Sequence, residues 1–396
     1  MRGRGRPTRD TVASSSGALV FSLSLAVASV ALPLLALRAG YSDAGVGLLT
    51  AASALAQLAV RAGLGLAMRH LPDWTLVTSA ALLLAMSNAL VVVSTAVVPF
   101  VAAELLQGVA RACFWTGAQT HVVRGASRAV GALATVNLVS TIGMLSGPVL
   151  AGLLTESSPA FALAVAAGVA LVGVVPTLFL DRLPPFRPPA ERPPGRIWRR
   201  AGVDSGCWAG VTVGAWRGLL HSYVPVALHA AHQTPSTIGL LVTVANGAAL
   251  VGSGLVARVR TESSATPFAL ATVASGLGTA AVGFTAGNAA LAGLALAVSG
   301  VAAGALQTIG PAVAAEAVHP EERGEAIAAA GTFRAAALFA APLGVAATLG
   351  VIALSPALLG MGVLIALPAV AARRVRSRGP TAGAVGAEPG GPIPPS

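Results

Sequence analysis

Five ionisable side chains stand inside long apolar runs of this sequence, where charge is otherwise rare. They are Glu104, Arg111, Arg217, His221 and Arg334. A charge near the centre of a bilayer costs at least about 2.5 kcal/mol, so such residues face a protein interior or an aqueous cavity and mark routes for protons or substrates. Glu104 is the only carboxylate well inside a run, which makes it the candidate for proton coupling.

The spacing of these residues places them in groups. Arg111 follows Glu104 by seven residues, two helical turns along the same face, so the pair is either a structural ion pair or a proton and substrate site. Arg217 and His221 are four residues apart and therefore lie on the same face of a helix. Arg217 could contact either backbone carbonyls or a bound ligand. The candidate substrate-cavity residues are Gln107, Arg111, Trp115, Trp216, Arg217, His221, Asn246, Gln307 and Arg334.

The residue types that are missing exclude several kinds of chemistry. The chain has no lysine, so it cannot form a phosphate-binding loop of the Walker type, and ATP is not its direct energy source. Its six histidines lack metal-ligand spacing, and no pair of nucleophile and base is evident. We therefore expect no enzyme, no metal site and no bound cofactor. Cys113 and Cys207 both fall in apolar runs, where small packing residues are expected.

Twelve apolar runs hold these side chains, and each is long enough to cross a bilayer, which requires about 20 residues. Only 10% of the residues are charged, against about 25% in a soluble domain. The chain is therefore predicted to be an all-α integral membrane protein with twelve transmembrane helices. The predicted spans are 17–37, 46–67, 75–96, 98–118, 132–154, 160–180, 207–228, 238–257, 267–286, 289–310, 326–349 and 352–372.

The distribution of arginine predicts the orientation. Of 25 arginines, 21 fall in the two tails or in alternate loops, with Arg61 and Arg69 assigned to the edges of one such loop, and Arg38 is the single arginine on the opposite side. Arginine in short loops stays in the cytoplasm, so both termini are expected inside. The net charge of +11 then reports topology and contact with anionic lipids, and it does not indicate nucleic-acid binding.

The runs fall into two sets of six that look like parallel repeats. Pro33 precedes Gly47 by 14 residues, and Pro225 precedes Gly239 by the same distance, at a common offset of 192. The predicted organisation is a cytoplasmic tail (1–14), a six-helix bundle (15–180), a Pro/Arg-rich cytoplasmic linker (181–204), a second six-helix bundle (205–372) and a disordered cytoplasmic tail (373–396). Transporters with such repeats bind their substrate between the halves.

A motif on the fifth run carries a family resemblance. Gly143, Gly147, Pro148 and Gly152 resemble the antiporter motif of the major facilitator superfamily (MFS), in its drug–proton antiporter-like branch, and the likeness extends over residues 15 to 372. Small residues let two helix backbones approach closely, and Pro148 removes a hydrogen bond and bends the helix. The resemblance implies the MFS fold of two six-helix bundles.

The chain departs from the family pattern at two places. The family's Gly-x-x-x-Asp-Arg loop motif after the second span is eroded, because Gly65 is present but Arg69 and His70 occupy the next two motif positions, so the acidic residue is missing. Asp73 is nearby but out of register. On the fourth span, Glu104 stands where the family usually has arginine.

The resemblance implies a secondary active transporter in the cytoplasmic membrane that works by alternating access. The expected activity is efflux of a small organic or amphiphilic molecule against proton entry, with the proton gradient as energy source and the protein as a monomer. Uptake or facilitated diffusion of a small metabolite is an alternative. A non-transporting sensor or assembly factor on the same scaffold is an alternative of another class. The surplus of arginine over carboxylate within the spans favours an anionic, zwitterionic or polarised aromatic cargo.

The orientation can be tested by cysteine labelling in a variant that lacks Cys113 and Cys207. Single cysteines at Ser157 and Pro235 should react with a membrane-impermeant maleimide in intact cells. Both positions lie in arginine-poor loops between predicted spans, which are expected to face the outside. A cysteine at Pro188 should react only after permeabilisation. Reaction at Pro188 in intact cells would contradict the N-in, C-in topology.

Overall fold

A computed structural model describes residues 9–68, 70–125, 129–185, 197–256, 265–318 and 323–371. Nearly all of these residues are helical, and the described ranges contain no strand. Arg69 of the predicted loop motif, residues 186–196 of the predicted linker and the predicted C-terminal tail lie outside them.

Fourteen α-helices make up the described chain, which confirms the predicted all-α membrane fold. They are α1 (Arg9–Arg38), α2 (Asp43–Ala67), α3 (Asp73–Val93), α4 (Val97–Gly125), α5 (Ala129–Ser157), α6 (Pro159–Val172), α7 (Val174–Thr177), α8 (Val203–Leu220), α9 (Tyr223–Ala230), α10 (Pro235–Val256), α11 (Ala265–Thr285), α12 (Ala289–Glu316), α13 (Arg323–Thr348) and α14 (Leu354–Ala366). Short 3-10 turns follow at Ile197–Arg199 and Leu367–Ala371.

Within the described ranges, ten helical segments are long and apolar enough to span a membrane. The last predicted span is the shorter α14. The predicted seventh span is divided between α8 and α9, with the break at His221 and Ser222. Pro225 explains the break, because its ring would clash with the carbonyl of residue 221, four residues earlier, and it has no N–H to donate there. The break leaves His221 at a helix end in the middle of the bundle.

The packing of the helices repeats between the two halves. In the first half α1 packs on α5, α2 on α4 and α3 on α6; in the second, α8 packs on α13, α10 on α12 and α11 on α14. The halves meet through α5 against α10 and, at the equivalent place, α2 against α13. This correspondence fits the parallel repeat that the proline and glycine offsets indicate.

Glycines make the close helix crossings possible. A Cβ at Gly143 would lie 2.5 Å from the Leu19 carbonyl oxygen on α1, and one at Gly147 would overlap the Ala26 Cβ. Gly152 faces α10 instead, where an added Cβ would lie 2.7 Å from the Pro235 carbonyl oxygen. The fifth-run motif therefore joins α5 to α1 within one half and to α10 across the interface.

One end of the bundle, here called the distal end, carries the α1–α2, α5–α6 and α9–α10 connections. The opposite end, where α1 begins, is here called the terminal end. Near the distal end Ser236 Oγ donates to Glu156 Oε1 at 2.7 Å, and further along the same interface Thr243 Oγ1 donates to the Leu145 carbonyl at 3.1 Å. These bonds between α10 and α5 hold the two halves together at the distal end.

Replacing Gly147 with leucine should lower the thermal stability of the purified protein and abolish transport, because a side chain would replace a backbone contact with α1. Forcing extra atoms into packed interiors costs about 1–3 kcal/mol. Gly168→Leu on α6 is the matched control, since a Cβ there meets no atom within 4 Å. Thermal unfolding followed by tryptophan fluorescence measures both variants. Equal midpoints for Gly147→Leu and the unmutated protein would show that the crossing tolerates a side chain.

Candidate functional site

A central cavity, with about 330 Å³ of space that includes open solvent, lies between α1, α2, α4 and the end of α8. Twelve of its thirteen lining residues belong to the first half, and His221, at the break between α8 and α9, is the one from the second half. Its lining residues are Ala28, Ser29, Leu32, Pro33, Ala36, Val46, Leu49, Thr50, Phe100, Glu104, Gln107, Arg111 and His221.

The lining changes from apolar to polar along α4. Phe100, Glu104, Gln107 and Arg111 follow one another at helical spacing and all face the cavity. At about 1.5 Å per residue, the eleven positions from first to last extend over about 16 Å. Since α4 runs from the distal to the terminal end, the apolar part lies towards the distal end and the charged part towards the terminal end.

Glu104 and Arg111 share this wall without forming a direct ion pair. Within the described ranges, no ion pair with a nitrogen–oxygen distance within 4.0 Å joins the two side chains. Arg111 Nη2 donates to Gln107 Oε1 instead. The Nε of Arg111 and the Nε2 of Gln107 are buried without a partner, a situation that costs about 1–3 kcal/mol for a polar group.

Further cations lie next to the cavity. Arg217 is half-buried and close enough to Arg111 for their charges to interact, and Arg334 interacts in the same way with Arg217 and Arg61. The Arg217 guanidinium carbon lies 5.8 Å from the Trp216 ring centroid, and its Nε has no hydrogen-bond partner. Like charges held together in a poorly solvated place repel one another strongly.

Four other candidates do not line this cavity. Trp216 donates from Nε1 to Ser299 Oγ at 3.2 Å and is buried against α12. Asn246 donates to the Val242 carbonyl of its own helix at 3.1 Å. Trp115 packs edge-on against the neighbouring Phe114 at 5.4 Å between centroids, and Gln307 is exposed on α12.

A family model of the Major Facilitator Superfamily matches residues 15–342. The chain belongs to the Major Facilitator Superfamily. It is accordingly an integral membrane transporter and not an enzyme. No curated protein sequence matches the chain significantly.

Solved MFS transporters share the fold at low sequence identity. A point mutant of the nucleoside transporter NupG aligns with a TM-score of 0.76 at 12% identity, over 92% of this chain and 99% of that chain. A bacterial homologue of the human lysosomal transporter Spinster, inward-facing and occupied, gives 0.76 at 12%, over 94% and 98%. A POT family transporter in complex with a thioalcohol-conjugated peptide gives 0.74 at 10%, over 93% and 96%.

Three features of this MFS chain were not predictable from the sequence alone. Arg61 lies inside α2, six residues before its end, and not at the edge of a loop, where the charge pattern had placed it. Its Nε is buried without a partner. The second feature is the place of Phe100 in the cavity lining. Its position four residues before Glu104 is the signal that could have placed it on the cavity face.

A third feature is a polar cluster at the terminal end, away from the cavity. His121 Nε2 lies 2.8 Å from Asp10 Oδ1, and His121 Nδ1 lies 3.4 Å from Asp73 Oδ1. Asp10 Oδ1 also accepts from the Asp181 backbone N–H at 2.9 Å. The cluster ties the beginnings of α1 and α3 to the end of α4. Asp73, which is out of register for the family's loop motif, thus has a contact across helices. In the part of the chain described, no group of three or more His, Cys, Asp or Glu side chains is arranged to hold a metal.

Proposed function

We propose that the chain is a proton-coupled secondary transporter of the cytoplasmic membrane that exports a small organic or amphiphilic molecule. The observation that carries the proposal is Glu104, the only acidic side chain lining the described cavity between the halves. A carboxylate at membrane depth that faces a cavity is suited to carry a proton. The supply of energy from the proton gradient needs no bound cofactor.

Alternating access fits the way the halves meet. The α5–α10 and α2–α13 contacts are equivalent under the repeat, so rocking of one half against the other can exchange which end is closed. With both termini in the cytoplasm, the distal end is the outer one and the charged part of the cavity lies towards the cytoplasm.

The export direction rests on the motif of α5. Gly143, Gly147 and Pro148 resemble the antiporter motif, and Gly152 of the same motif packs directly on α10 of the other half. A substitution that stiffens or separates this crossing would act on the closure of the distal end.

Proton-linked uptake is a second candidate, and one observation favours it. Glu104 and Arg111 stand on the same wall of one cavity. An ionised Glu104 competes with an anionic cargo for Arg111, whereas a protonated Glu104 leaves Arg111 free, so an anion and a proton would bind and move together.

Glu104→Gln should abolish the response of transport to a pH gradient while leaving exchange of cargo intact, because the amide cannot carry a proton. The assay is counterflow and net flux in proteoliposomes, first with a metabolite panel to find a cargo and then with a pH gradient of either sign. Glu316→Gln is the matched control, since Glu316 is exposed at the end of α12.

The sign of the gradient separates the two candidates. Cargo movement opposite to the proton flow identifies export, and movement with the proton flow identifies uptake. A Glu104→Gln variant that still responds fully to the gradient would remove Glu104 from the coupling.

A further inference from the structure

We propose that the central cavity binds a small organic oxyanion, with the oxyanion group held by Arg111 and His221 and an apolar part lying against Leu49 and Phe100. The inference rests on the proposed transport function in that it names the cargo class of the same cavity. It is independent of the direction of transport.

The first support is the balance of charge. Arg111, Arg217, Arg334 and Arg61 form a chain of interacting or adjacent cations around the cavity. In the described ranges, Glu104 is the only acidic side chain that interacts electrostatically with any of these four arginines, and its partner is Arg111. One carboxylate therefore faces several guanidinium groups, and an anion would reduce their mutual repulsion.

The second support is the set of unused donors. The Nε atoms of Arg111, Arg217 and Arg61 are buried without a hydrogen-bond partner, and so is the Nε2 of Gln107. The Nε2 of His221 is likewise unpartnered, and it donates in the tautomer that carries hydrogen there. Nearly all of these unused atoms are donors, so their complement is an acceptor. Guanidinium groups bind carboxylate and phosphate oxygens through paired hydrogen bonds that neutral acceptors match only in part.

The third support is the way in which the lining of the cavity divides into a polar and an apolar part. The donors lie at one end, and Leu32, Val46, Leu49 and Phe100 line the other. A compact molecule with one charged end and one apolar end matches this division, and a permanent cation is repelled by the arginines.

The test compares molecules of equal length that differ in charge. Purified full-length protein is titrated with hexanoate, hexyl phosphate, hexanamide and hexylamine, and binding is measured by calorimetry and by the shift in the unfolding midpoint. Hexanoate or hexyl phosphate should bind and stabilise the protein, and which of the two binds more tightly separates carboxylate from phosphate recognition. Hexanamide and hexylamine should do neither. Binding of the amine in preference to both anions, or of neither anion, would overturn the proposal.

Variants then locate the binding group. Arg111→Gln should weaken anion binding by about tenfold or more, as expected for loss of a paired, charge-assisted contact. Arg111→Lys should weaken it less, and Arg217→Gln should also have a smaller effect because Arg217 lies beside the lining. Arg182→Gln is the matched control, since Arg182 is exposed and stacks over Trp74 at 5.0 Å. Anion binding unchanged in both Arg111 variants would overturn the assignment to this cavity.

The binding assay keeps this inference separate from the proposed function. Equilibrium binding needs no gradient, so failure of the Glu104 coupling test leaves an anion preference untouched. Conversely, gradient-driven transport of a neutral or cationic cargo would support the proposed function and overturn the anion inference alone.

Discussion

The cost of holding charge inside an apolar bundle is the constraint on which the rest of this structure depends. Glu104, Arg111, Arg217 and Arg334 lie at membrane depth, and the protein meets their cost by placing them together around one cavity between the halves. Arg111 donates one hydrogen bond to Gln107, and Arg217 lies near the Trp216 ring. These contacts leave several buried nitrogen donors without a hydrogen-bond partner, and the preference of the cavity for an acceptor follows from those donors.

The helices provide the geometry by two local devices. Glycines without a side chain let α5 cross α1 and α10 backbone to backbone, so that the two halves meet tightly at the distal end. On the equivalent side, Gly210 and Gly214 of α8 lie against the backbone of α13 at Ala330 and Arg334. Pro225 then interrupts the seventh span, and the break puts His221 into the lining. Close packing and a local break together form the cavity.

The sequence predicts the bundle better than the cavity, for a physical reason. The length of apolar runs sets the helices, and the offset of Pro33 and Gly47 against Pro225 and Gly239 reveals the repeat. Periodicity also places Glu104 and Arg111 on one face. It does not give the rotation of each helix against its neighbours, so Trp216 turns out to bond Ser299, and Gln307 is exposed.

Contacts between distant parts of the chain are the hardest to predict. His121 meets Asp10 across 111 residues, and nothing in the local sequence of either residue indicates the other. The clustering of arginines in loops predicts Arg61 at the edge of a loop, whereas its position within α2 lets it approach Arg334. Both cases depend on tertiary packing, which brings together residues whose local patterns are unremarkable.

The central claim is that the charge of an anionic cargo balances the arginines of the cavity, in place of the charge that Glu104 loses on protonation. The most direct measurement is calorimetric binding of hexanoate, or of hexyl phosphate if that anion binds, in two buffers of different ionisation enthalpy, which gives the protons exchanged per bound anion. An anion beside an ionised Glu104 is repelled, so this claim predicts net proton uptake on binding, and that uptake should vanish in Glu104→Gln. Binding of anion and proton together would also favour the uptake candidate over export. Proton release on binding, or an uptake that Glu104→Gln leaves unchanged, would contradict the account.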